Sequence, residues 1–190
     1  MKKTVKVATA LLLTSLVVGC SGKNVQSVQS KESGLNLKGK TVYMKSDAAA
    51  YSSDSRIAQN IKEECKLDTK LITFIKQYAT EQGVTIKVAN SIPADAFELK
   101  VEITDSISRG NAFIGHRKLT SIDGSLIKSG QTVGTFEAAR RSGGGIFGEF
   151  KGSCAVLGGT VKTLGADVAK WVVNPSTGAE LGDTGYIPIR

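Results

Sequence analysis

The stretch Phe97-Glu98-Leu99-Lys100-Val101-Glu102-Ile103-Thr104 alternates apolar and polar side chains without interruption. Successive side chains of a β-strand point to opposite faces. The pattern therefore predicts a strand with Phe97, Leu99, Val101 and Ile103 on a buried face and Glu98, Lys100, Glu102 and Thr104 in water. A sheet that is wet on one face needs a cover on the other, and the flanking sequence supplies two.

Before this strand, Ile57, Ile61, Cys65, Ile72, Ile75 and Ala79 fall on one helical stripe, widened by Leu71 and Tyr78. Ser53 or Asp54 stands where an N-cap belongs and Gly83 where a C′ glycine belongs, which predicts one long amphipathic helix. After it, Cys154, Leu157, Val161, Leu164, Val168 and Trp171 or Val172 form a second stripe, closed by Asn174-Pro175. Ala155, Gly158, Gly159, Gly165, Ala166 and Ala169 line this second helix. Glycine inside a helix costs about 1 kcal/mol relative to alanine, so something should approach closely there: the first helix, or alternatively an oligomer contact.

Short apolar runs at Thr41–Met44 and Val84–Ala89 predict two more strands, and residues 115–127 and 131–141 another two. The last pair is joined at Lys128-Ser129-Gly130 or turns at Asp123-Gly124; the sequence leaves both open. The fold class is α+β: a two-layer sandwich with a mainly antiparallel sheet of four to five strands, in the order β-α-β-β-β-β-α, and two long helices on one face. The single domain runs from 41 to 175, with a C-terminal tail, 176–190, ordered by docking.

Lys2, Lys3 and Lys6 precede an apolar run, Val7–Val18, that is too short to span a membrane comfortably and is built like a secretory signal. Val17-Val18-Gly19-Cys20 at its end resembles a bacterial lipobox. The resemblance implies a signal peptide over 1–19, acylation of Cys20 and stable anchoring through two or more acyl chains. Ser21 stands where an aspartate would resemble the inner-membrane retention signal, so a periplasm-facing outer-membrane address is expected in a Gram-negative cell. Residues 20–40, rich in Ser, Lys, Gln, Asn and Gly, read as a flexible tether. Cleavage removes three lysines, leaving 22 basic against 17 acidic residues, a net charge of +5 in place of +8. Such a mildly basic exported chain suits anionic lipid, polysaccharide or an acidic partner, and lacks the basic, aromatic-interleaved run of a nucleic-acid binder.

With Cys20 acylated, Cys65 and Cys154 remain, an even number in an oxidising compartment and one on each helical stripe. A disulfide tying the helices is the expected outcome; two buried free thiols or a redox pair are the alternatives.

Catalytic sets are missing from the sequence. The single histidine, His116 in Gly115-His116-Arg117-Lys118, sits beside two cations and reads as a surface residue. No G-x-S-x-G, H-E-x-x-H or G-x-x-x-x-G-K-[ST] occurs. Glu63 with Glu64 belongs to a charged helix face, and nothing in the sequence places Asp167 beside Asp183. No metal, cofactor or catalytic residue is expected.

Arg140 to Cys154 reads RRSGGGIFGEFKGSC, with Gly143, Gly145 and Gly148 in G-x-G-x-x-G spacing. A dinucleotide site would need a βαβ unit and an acid about 20 positions on. Asp167 has the spacing but lies within the helix, and no parallel strand is expected to follow. The stretch therefore reads as a strand-to-helix joint bringing Cys154 to Cys65, with Ile146, Phe147 and Phe150 as an apolar lid or partner site. Arg140, Arg141, Gly143, Gly144, Gly145 and Phe147 form a candidate loop for an anion or partner.

Three segments carry a resemblance: Phe97–Ile103, the Ser129-Gly130 turn followed by Val133-Gly134-Thr135-Phe136, and Arg141-Ser142-Gly143-Gly144-Gly145-Ile146-Phe147-Gly148. They resemble a family of uncharacterised bacterial outer-membrane lipoproteins, known as a domain of unknown function. Its fold is similar to the N-terminal domain of TolB and, more distantly, to the periplasmic core of the curli-secretion lipoprotein. The resemblance covers about residues 41–173; the two helix cysteines and the lack of long channel-lining hairpins depart from it. It implies no activity and no catalytic residue. The expected function is a non-catalytic envelope lipoprotein, an accessory, scaffold or protein-binding component with an envelope protein or its own copies as partners. The alternative is a small anionic-ligand or glycan-binding module at Arg140 and Arg141.

Overall fold

The computed structural model describes residues 30–55, 57–109, 117–142 and 152–187. Its elements are β1 (Lys31–Glu32), β2 (Thr41–Met44), α1 (Gln59–Cys65), α2 (Leu67–Glu81), β3 (Thr85–Val88), β4 (Phe97–Arg109), β5 (Arg117–Lys128), β6 (Gln131–Ser142), α3 (Ser153–Val173), β7 (Ser176–Thr177) and β8 (Ala179–Gly182). Among the described residues the main sheet has six strands in the order β3-β2-β4-β5-β6-β8, one more than the upper expectation. The long β4–β5 and β5–β6 ladders are antiparallel, while β2–β3, β2–β4 and β6–β8 are parallel. The fold is an α+β sandwich with a mixed sheet.

The alternating run behaves as expected from Leu99 to Ile103: Leu99, Val101 and Ile103 are buried and Lys100 and Glu102 exposed, whereas Phe97, expected inside, and Glu98, expected in water, are both half-buried. A bulge between Ile103 and Asp105 then shifts the register. One extra residue reverses the parity of every later side chain. Thr104, expected in water, is buried and shares a 3.0 Å hydrogen bond with Ser121, and Ser106 is buried beyond it. The far half of the core is therefore lined by hydroxyls.

The β5–β6 hairpin turns at Ser129-Gly130, both with positive φ (49° and 76°), between the paired Lys128 and Gln131. Such a two-residue turn matches the twist of the strands. The rival Asp123-Gly124 lies mid-strand, where Gly124 faces Phe136 across the ladder and a Cβ would fall inside the Phe136 ring. Phe136 in turn packs edge-on against Trp171 of α3, ring centres 4.7 Å apart.

The first helix is two helices. Lys66 adopts a left-handed conformation (φ 45°, ψ 51°) and separates α1 from α2, and α1 begins at Gln59 with Ala58 rather than Ser53 or Asp54 before it. Ile57, Ile61 and Cys65 step by four, as do Leu67, Leu71, Ile75 and Ala79, but the two rows are out of phase by two residues. At 3.6 residues per turn Cys65 and Leu67 would face opposite sides of one helix. The break lets both be fully buried. Tyr51 accepts the freed Leu67 N–H at 3.2 Å. At its other end α2 closes on Gly83: Gly83 N–H bonds Thr80 C=O and Val84 N–H bonds Ala79 C=O, a Schellman arrangement.

α2 and α3 cover one face of the sheet and meet at Gly165, where a Cβ would lie 2.6 Å from Phe74 Cβ and 3.0 Å from its carbonyl carbon. The small-residue stripe thus admits the first helical segment at this one point. Gly159 has nothing within 4 Å, and Gly158 meets only the end of Lys70. Cys65 and Cys154 form the disulfide, with Cα atoms 4.8 Å apart across 89 positions. The segment after Pro175, read as a tail, carries the sixth strand. β8 lies parallel to β6, and β7 pairs with β1 from the segment read as tether. Leu37 in that same segment is buried in the core.

Candidate functional site

Parallel pairing of β6 with β8 makes β6–α3–β8 a βαβ unit, with residues 143–152 as its strand-to-helix connection. The expectation that no parallel strand follows the glycine pattern is corrected: four residues after the α3 turn suffice. Gly143, Gly144, Gly145, Phe147, Ile146 and Phe150 themselves lie outside the described residues, as do Cys20, the lipobox and His116.

Arg140 and Arg141 end β6 and point into different company. Arg140 donates Nε–H to Asp167 Oδ2 at 2.7 Å and Nη2–H to Asp167 Oδ1 at 2.8 Å, a two-pronged ion pair with α3. These hydrogen bonds push its pKa above the ordinary arginine value, against the opposing effect of burial; Asp167 and then Asp183 add charge attraction. Arg141 donates its backbone N–H to Asp183 at 2.9 Å and sets its guanidinium 4.0 Å from the Tyr186 ring centre. The chain therefore brings Asp167 and Asp183 to the same two arginines, which no sequence spacing indicated. Both carboxylates are engaged, so neither serves as the free acid of a ribose site. Both arginines are likewise spoken for by their own fold.

A second polar cluster lies at the start of α3. Lys118 on β5 is only 5 % exposed. Its ammonium donates to Ser108 Oγ, its cross-strand neighbour, and to Ser153 Oγ at 3.1 Å, and Ser108 Oγ donates to Ser153 Oγ at 3.2 Å. One step further in, Thr120 and Thr160 share a 2.8 Å hydrogen bond between β5 and α3. Ser106, Ser108 and Ser153 line a cavity of about 610 Å³ with Asn60, Glu64 and Cys154. The disulfide forms part of its wall. Sequence reasoning passed over Lys118 as a neighbour of His116. Counting back by twos from Leu126 through Ile122 and Thr120 would have placed it inward.

No family model and no curated protein matches this chain. Among solved structures it is similar to the PelC dodecamer from Paraburkholderia phytofirmans (12% identity, TM-score 0.45, covering 70% of this chain and 89% of that one). It is also similar to a minor lipoprotein from Acinetobacter baumannii (14%, 0.42, 73% and 98%). A Xanthomonas campestris protein gives 11%, 0.49, 77% and 91%. Likenesses of this degree assign no activity, partner or assembly to this chain. Among the described residues no three His, Cys, Asp or Glu side chains gather as a metal site, and no helix is long and apolar enough to cross a membrane.

Proposed function

We propose that the protein is a non-catalytic envelope lipoprotein, held by acylated Cys20 on the periplasmic face of the outer membrane, where it acts as an accessory or scaffold subunit binding another envelope protein. The observation that carries this reading is the run Val17-Val18-Gly19-Cys20 behind a basic, apolar leader. The finer likeness to the TolB N-terminal domain and the curli-secretion core rests on the sequence motifs alone. The engagement of Arg140 by Asp167 and of Arg141 by Asp183 and Tyr186 supports a structural use of the two arginines over the alternative anion loop.

Crosslinking the intact lipoprotein in the envelope, purifying it and identifying what is attached tests the reading. Recovery of one envelope protein, lost when Cys20→Ala releases the domain from the membrane, is the expected result. Recovery of nothing beyond lipid and the protein itself contradicts it.

A further inference from the structure

We propose that the N-terminal end of α3, with Lys118 and the serines around it, is a binding site for a small oxyanion of the phosphate class. A buried ammonium is costly unless it is paired, and buried lysines are usually matched by a carboxylate. Lys118 is 5 % exposed, yet its partners are two serine hydroxyls, and among the described residues no carboxylate lies within ion-pair distance of it. The charge is solvated by neutral oxygens and left uncancelled.

The hydrogen-bond directions sharpen this. Lys118 gives protons to Ser108 and Ser153, and Ser108 passes its own to Ser153. Ser153 is thus an acceptor twice over and keeps its hydroxyl proton to donate. Ser106, 5 % exposed, has a buried Oγ with no hydrogen-bond partner among the described residues and lines the same cavity. Ser153 also opens a 21-residue helix whose Gly152 N-cap has no side chain to offer and whose first turn holds no acid. Free N–H groups at a helix N-terminus favour negative charge. Two hydroxyl donors and an uncapped helix end therefore line one cavity of about 610 Å³, and Lys118 stands directly behind its wall, hydrogen-bonded to the lining serines Ser108 and Ser153. The acid on its lining, Glu64, is exposed. A ligand with several acceptor oxygens and negative charge matches this set; a cation or an apolar ligand does not. The site is independent of Cys20 and of any protein partner.

The test is calorimetric titration of the purified mature lipoprotein in detergent with inorganic phosphate and, separately, with glycerol 3-phosphate, which stands in for a lipid headgroup. Saturable one-to-one binding is expected, weakened at least tenfold by Lys118→Gln and by the pair Ser106→Ala with Ser153→Ala. Tighter binding of glycerol 3-phosphate points to an esterified phosphate and tighter binding of the inorganic ion to a free one; either supports the site. Should Lys118→Gln fail to fold, the folded serine pair decides. Absence of saturable binding to both probes, or binding that the serine pair leaves unchanged, overturns the proposal.

Discussion

Arg140 of β6 grips Asp167 of α3 with two hydrogen bonds, 2.7 and 2.8 Å long, and so locks the sheet to the helix that crosses over it. The side chains are 30% and 13% exposed, so the pair is largely but not fully shielded from water. Asp167→Asn should cost about 1–2 kcal/mol of stability, with Arg140 partly recovering its hydration. Urea denaturation measures this. Amide exchange in Ala179–Gly182, which hangs on β6 beside this pair, should rise at the same time; an unchanged midpoint and unchanged exchange would show the pair to be ornamental.

Gly165 against Phe74 sets the distance between α2 and α3. Gly165→Leu should destabilise by about 1–3 kcal/mol because the Phe74 backbone cannot retreat. Gly159→Ala, where nothing lies within 4 Å, should instead stabilise by about 0.5–1 kcal/mol. Denaturation midpoints that move in the same direction for both would contradict the assignment of the helix contact to Gly165 alone.

The Cys65–Cys154 disulfide closes a loop of 89 positions. In the chain-entropy account its loss removes about 4–5 kcal/mol. Denatured, unreduced protein from the periplasm should show no thiol reactive at either position. The double variant Cys65→Ser, Cys154→Ser should unfold at markedly lower denaturant, and equal midpoints would assign the bond no stabilising role.

How much of this was legible in the sequence follows from which forces act locally. The strand at Phe97–Ile103, the stripe of α3 and the stop at Gly83 are written in side-chain periodicity and could be read directly. The break at Lys66 was also written, as the out-of-phase rows ending in Cys65 and beginning at Leu67, but reading one stripe through both hid it. The bulge after Ile103 left no mark, because the hydroxyl residues Thr104, Ser106 and Ser108 fit either face. Strand β8 is only four residues long and is made by its pairing with β6, so composition gave it away to the tail. Of the site, the cysteine pair was readable from two helical faces. The partners of Arg140 and Arg141 and the burial of Lys118 depend on the crossover of α3, which no local pattern encodes.

Tyr51 supplies a pH-dependent signature of the helix break. Burial holds its pKa above the ordinary 10.0, partly offset by the hydrogen bond from the Leu67 amide. The unfolded chain loses this proton first, so the contribution is fully present below about pH 10 and declines as the pH rises through the folded value. Tyr51→Phe should cost about 1 kcal/mol at neutral pH by orphaning the Leu67 N–H. The gap between the two proteins should stay constant below about pH 9 and narrow as the pH rises above about 10; a constant gap in denaturation free energy across that rise would contradict it.

Lipid anchoring through Cys20 is tested most directly by the mass of the mature N-terminal peptide isolated from cell envelopes. The expected chain begins at Cys20, heavier by a diacylglyceryl group and an amide-linked acyl chain, with the modification and the membrane association both lost in Cys20→Ala. A mature chain that keeps residues 1–19, or begins at an unmodified Cys20, would contradict it.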